Sequence, residues 1–187
     1  PDSITSIENR PFQPGKSLIE FEFPSSLKRI DEYVMKGCIS LVKITFPQSI
    51  KSIELGAFSQ CTSLTEIQIP SSVSFIAHHL FDGCNSLKQV ILPPKLETIG
   101  AFAFNECTSL ETITIPDPVY YIGGYVFKGC VSLNKVILPK SLRYFGIGNF
   151  EGCISLEQIE LRGTFKSIPC LCFYGCTSLK SVNMPFE

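Results

Sequence analysis

The sequence predicts a repeat solenoid of about eight 23-residue units, each with short parallel strands and a helical or 3₁₀ turn. Three observations predict it. Cys38, Cys61, Cys84, Cys107, Cys130, Cys153 and Cys176 follow one another every 23 residues, and Gly15 holds the same phase one unit earlier. A leucine stands three residues after each of these positions, from Leu18 to Leu179. A serine always precedes that leucine, from Ser17 to Ser178. Self-similarity at a fixed period of this length marks stacked supersecondary units that cannot bury their apolar faces alone.

Each part of the unit has a physical reading. The alternation Glu66-Ile67-Gln68-Ile69 has period two, which is a short strand with one buried face. Proline then closes the strand, from Pro24 to Pro139 and again at Pro185, because proline cannot donate to a ladder; Arg162 alone breaks that column. Ile50, Val73, Leu96, Val119 and Leu142 form the next apolar column. A second brief extended piece is expected around Ile30, Ile53, Ile76, Ile99 and Ile122, with Phe145 standing in once and Ile168 last. The segment "IGAFAFNEC" (99–107) then suggests a single helical or 3₁₀ turn. Gly83, Gly129, Gly152 and Gly175 fall where such a turn ends, a position that often needs positive φ. Phe58, Phe81, Phe104, Phe127, Phe150 and Phe173, begun by Phe12 and Met35, are expected to stack as an internal spine. At about 4.8 Å per coil, eight coils make a rod roughly 38 Å long.

The nine cysteines raise disulfides and zinc as alternatives. Neighbours in stacked coils would have Cα atoms about 5 Å apart, within disulfide range. In a parallel, in-register ladder, however, their Cβ vectors point the same way. Buried free thiols acting as small hydrophobes are therefore expected. Cys170 and Cys172 lie outside the ladder phase and could carry a local redox role. The recurring serine is expected to hydrogen-bond backbone in the turn before the strand.

Together these columns resemble a leucine-rich repeat of the BspA-like, or Treponema-type, class. The phrase "IGAFAFNECTSLETITIP" (99–116) is close to that family's idealised unit, and the likeness covers essentially the whole chain. The commoner leucine-rich repeat places asparagine after the strand; here serine usually holds that place, as at Ser72 and Ser141. The resemblance implies a right-handed leucine-rich-repeat stack, a single domain over residues 1–187 and a surface or secreted location. It also implies an adhesin-like role toward host matrix or cell-surface proteins. No catalytic residues carry over from the family. Because Pro1 is not a natural start, the chain is expected to be a fragment.

Composition bounds the function further. The net charge is −1 with lysine and arginine dispersed, which argues against a nucleic-acid partner. No apolar run reaches the roughly 20 residues of a membrane helix. His78 and His79 are adjacent, so their side chains do not converge on one metal; a solvated pair on the helical turn is expected. No paired acids, glycine-rich phosphate loop or G-x-S-x-G motif is present, so neither an enzyme nor a cofactor is expected.

A protein ligand must therefore meet the exposed columns. On the first sheet these include Gln89, Thr112 and Lys135, with Ile91 and Ile137 as outward apolar exceptions. On the second they read Arg29, Ser52, Phe75, Thr98, Tyr121, Tyr144 and Ser167, with Tyr120 and Arg143 alongside. Aromatics and arginine are enriched at binding hot spots. Phe75, Tyr120, Tyr121, Arg143 and Tyr144 thus form the leading candidate patch, and Gln89, Thr112 and Lys135 its rival. A spacer without a ligand, or an intracellular scaffold, are the alternative roles. The sequence leaves the oligomeric state open.

Overall fold

A computed structural model describes residues 3–7, 11–12, 15–164 and 166–184. The chain winds into a parallel β-solenoid of about seven turns, and most turns supply two strands. The longer strands are β2 (Glu20–Glu22), β4 (Lys43–Thr45), β6 (Glu66–Gln68), β8 (Gln89–Ile91), β10 (Thr112–Thr114), β12 (Lys135–Ile137), β14 (Gln158–Glu160) and β15 (Ser181–Asn183). The shorter ones are β1 (Ser6–Ile7), β3 (Arg29–Ile30), β5 (Ser52–Ile53), β7 (Phe75–Ile76), β9 (Thr98–Ile99), β11 (Tyr121–Ile122) and β13 (Tyr144–Phe145). Every ladder is parallel and steps by one repeat, as in Ile113↔Val136 and Ile76↔Ile99.

The two sheets differ in continuity. The long strands pair two by two, as β2–β4, β6–β8, β10–β12 and β14–β15. The short strands form a three-stranded sheet, β1-β3-β5, and a four-stranded one, β7-β9-β11-β13. Between the coil of β4 and β5 and the coil of β6 and β7, neither ladder continues. The turns still bridge that seam through Gly56 N–H to His78 O (3.0 Å) and Gln60 N–H to Asp82 O (2.7 Å).

The predicted columns fill one continuous core. Phe58, Phe81, Phe104, Phe127 and Phe150 are fully buried, and Phe173 extends the row at one end. Successive centroids from Phe58 to Phe173 lie 5.8, 5.6, 5.8, 5.6 and 5.8 Å apart with near-parallel planes. Phe12, one coil before Met35, packs against the core and meets Phe21 edge-on at 4.9 Å. Ile168 departs from its buried column. It is 42% exposed, and neither it nor Ser167 lies in a strand. Pro185 lies outside the described residues.

The expected helical turn is absent among the described residues, and the backbone shows why. Each turn holds two left-handed positions. One is Tyr33, Gly56, His79, Phe102, Tyr125, Gly148 and Leu171, with φ between 54° and 62°. The other is Gly37, Gln60, Gly83, Glu106, Gly129, Gly152 and Gly175, with φ between 56° and 76°. A residue at φ near +60° interrupts any right-handed helix, and two within five residues leave no run for one. The glycines expected at positive φ do adopt it, in the second of these columns.

The cysteines are free. Cys38 to Cys153 are buried throughout, and Cys176 is half-buried. Their thiols also have a polar use. The Sγ of Cys84, Cys107, Cys130 and Cys153 donates to the carbonyls of Phe58, Phe81, Phe104 and Phe127 at 3.1–3.2 Å, each one coil back. The Cys column thus ties each turn to the spine of its neighbour while staying small enough to pack. Desolvation pushes these thiols up, Cys84 to about 12, so they remain protonated donors. Of the serine column, Ser40 donates to Lys16 O at 2.6 Å. The clearer hydroxyl row is another one: Ser26, Ser49, Ser72 and Ser141 donate to Ile4, Leu27, Ile50 and Val119 carbonyls.

Candidate protein-binding surface

Strand alternation sends Phe75, Thr98, Tyr121 and Tyr144 outward, one residue before buried Ile76, Ile99, Ile122 and Phe145. They form one in-register column, with Tyr121↔Thr98 and Tyr121↔Tyr144 as ladder partners. Tyr121 and Tyr144 stack at 4.5 Å with planes 6° apart. Tyr144 is 49% exposed and the neighbouring Tyr120 44%. Arg143 is exposed next to Tyr144 and ties to the previous coil through its N–H on Tyr120 O at 2.9 Å.

A groove of about 510 Å³ opens beside this column at the seam, lined by Glu54, Phe75, His78, Thr98, Tyr120 and Tyr121 among others. His78 accepts the Ala101 N–H through Nδ1 at 2.9 Å, which fixes its ring on the groove wall. The structure thus gathers Phe75, Tyr120 and Tyr121 around one concavity, with Tyr144 and Arg143 beyond it.

The rival first-sheet residues are less concerted. Gln89, Thr112 and Lys135 are all exposed, and Thr112 pairs with Lys135. Gln89 belongs to the β6–β8 pair, which has no ladder to β10. Ile91 and Ile137 point outward as expected.

Two further features had gone unread in the sequence. His79, Phe102 and Tyr125 form a second ladder on the turn side, with centroids 4.8 and 5.1 Å apart. Each sits at positive φ, and Lys128 Nζ lies 5.5 Å from the centre of the Tyr125 ring. The Tyr125 ring covers Gly148, where an added Cβ would lie 2.3 Å from it, so the coil after Tyr125 needs glycine at this position. His79 is accordingly more than a solvated residue: it stacks on Phe102, and its Nδ1 lies 2.9 Å from Asp82 Oδ2. The second feature is Asn149, fully buried in the apolar column of Val126 and Ala103. Its amide accepts from Val126 N–H and donates to Gly123 and Gly146 carbonyls. One polar residue in an otherwise apolar column was its available signal.

Among the described residues no group of three His, Cys, Asp or Glu side chains could hold a metal. No helix of the described residues is long and apolar enough to cross a membrane. The arrangement offers surface and ring faces for recognition.

Fold and columns together define a leucine-rich-repeat solenoid. The chain belongs to the BspA type leucine rich repeat region family, which it matches over residues 1–111 and 97–187. It is similar to a leucine-rich repeat protein of Treponema pallidum, with 32% identity and a TM-score of 0.78, over 82% of this chain and 72% of that one. It is also similar to a leucine-rich repeat protein of Bacteroides ovatus (27% identity, TM-score 0.65, 97% of this chain and 64% of that one). A third likeness is to a leucine-rich repeat protein of Eubacterium ventriosum (26%, 0.76, 95% and 47%). Comparison with curated proteins returns no match. Repeats of this family are typically non-enzymatic and interact with proteins, and BspA-type proteins are often surface proteins.

Proposed function

We propose that residues 1–187 act as one protein-binding domain of a surface or secreted, adhesin-like protein. In this reading the domain carries out no chemistry and engages a host matrix or cell-surface protein through the side of its second sheet. The observation that carries the reading is the outward-facing Tyr121–Tyr144 stack, with Tyr120 and Phe75 beside a groove. Exposed rings in one rigid row bring large contact area at little entropic cost, which is what interface anchors need. Arg143 adds a charged hydrogen-bond donor at the rim.

The test is a binding screen of the purified domain against matrix and cell-surface proteins, followed by substitution. Alanine at Tyr121 and at Tyr144 should each weaken capture by more than about 1 kcal/mol. Replacing Gln89, Thr112 and Lys135 should leave it unchanged. The reverse pattern would move the site to the first sheet. A domain that binds nothing across the screen would favour the spacer role.

A further inference from the structure

The outward column of the second sheet is a ladder of rings with one short rung. Phe75, Thr98, Tyr121 and Tyr144 stand in register on β7, β9, β11 and β13. Neighbouring strands are about 4.8 Å apart, so each position is one rung of stacking thickness. Tyr121 and Tyr144 use that spacing and stack at 4.5 Å. Tyr144 covers one face of Tyr121; the other face turns toward Thr98, whose side chain is too short to cover it. Phe75 lies on the far side of Thr98. Their strands are two ladder steps, about 9.6 Å, apart, which leaves room for one flat group between the rings.

Charge decides what kind of flat group. The groove over this rung carries one carboxylate, Glu54, and no lysine or arginine among the described residues that line it. Arg29 Nε lies 2.7 Å from Asp31 Oδ1 and 3.5 Å from Glu54 Oε1. Asp31 thus takes its hydrogen bond, and two carboxylates face one guanidinium. That end of the groove keeps net negative charge. A neutral aromatic would match the slot but not the charge. An ammonium would match the charge but not the slot. A guanidinium is planar, cationic and forked, so it matches both. Ring faces of this chain already attract cations, since Lys36 Nζ lies 5.2 Å from the centre of the Tyr33 ring.

We propose that the Thr98 rung receives an arginine side chain from the protein partner, its guanidinium stacked between Phe75 and Tyr121 in the groove whose one lining carboxylate is Glu54. The proposal rests on the aromatic side being the binding face, and it names the partner's anchoring chemistry.

The experiment is an NMR titration of the chain with N-acetyl-arginine amide, N-acetyl-lysine amide and N-acetyl-citrulline amide, following the Thr98 methyl and Tyr121 ring signals. The arginine probe should bind saturably, with nuclear Overhauser contacts to the Tyr121 ring. Lysine, charged but not flat, and citrulline, flat but not charged, should each bind at least about fivefold more weakly. Glu54→Gln should weaken arginine by about the same factor. Thr98→Phe fills the rung and should abolish binding, with folding checked by circular dichroism. Citrulline or lysine binding as well as arginine would overturn the proposal, and so would undiminished arginine binding by folded Thr98→Phe. A chain that ignores arginine yet loses its protein partner on Tyr121→Ala/Tyr144→Ala would overturn the slot and leave the aromatic binding face standing.

Discussion

Two of the aromatic columns along this solenoid, the spine and the outward face of the second sheet, obey different rules. The inner one, Phe58 to Phe150, repeats the same residue in every coil and is fully buried. The outer one reads Phe75, Thr98, Tyr121, Tyr144 and changes size within two coils. Both have the same period and the same strand spacing. The difference is what surrounds them. Inside, each ring is clamped between two others at 5.6–5.8 Å, so a change in one coil damages its neighbours. Outside, water fills any shortfall and the residue is free to vary. Variation on a repeating scaffold is thus where specificity can be written.

The largest effect should come from breaking the inner column. Phe104→Ala removes a ring between Phe81 and Phe127. It should destabilise the domain by about 3–5 kcal/mol, read from urea unfolding. Asn149→Ala should follow. It leaves the Val126 N–H and the Gly123 and Gly146 carbonyls without this partner inside the core. A loss of about 2–3 kcal/mol is expected in the same measurement. An unchanged midpoint would show that the interior of that coil tolerates orphaned backbone groups.

The thiol column sharpens the comparison through pH. Burial raises Cys84 from 9.0 to about 12. Cys107 and Cys130 rise for the same cause. Above pH 9 the unfolded chain releases these protons and the folded chain keeps them. The unfolded state then binds fewer protons, so stability falls as pH rises. The contribution should be fully present below about pH 9 and lost between there and about 12. Urea midpoints across that range should decline, and Cys84→Ala/Cys107→Ala should flatten the decline. Identical slopes in both proteins would mean the thiols titrate normally.

How far the sequence foretold these features depends on what each column is made of. Side-chain type repeats in register, so the spine, the thiols and the outward ring positions could be read from a 23-residue period. Backbone sign could not. Phe102, Tyr125 and His79 adopt positive φ although such residues rarely do, and no local residue choice announces it. The helical turn expected at 99–107 failed for that reason. The signal was contextual: glycine recurs in that column at Gly56 and Gly148, where the ring of the preceding coil lies across it. The groove also escaped the sequence. It depends on both ladders stopping at one seam, although the repeat there is unbroken. Ile168 kept its phase without its burial, because the following strand pair lacks a short-strand ladder at that coil.

The smallest effect should come from completing the outer column. Thr98→Phe would join Phe75 to Tyr121 in one stack and should stabilise folding by about 0.2–1 kcal/mol. Destabilisation would show that the rung is not open to a ring.

The most direct test of the division between the columns is the urea unfolding midpoint of Tyr121→Ala/Tyr144→Ala, measured beside Phe104→Ala. The outer double variant should lose no more than about 1 kcal/mol, the scale of one exposed cross-strand aromatic pair. A loss equal to that of the spine variant would show that the exposed rings hold the fold together, and would contradict their assignment to recognition.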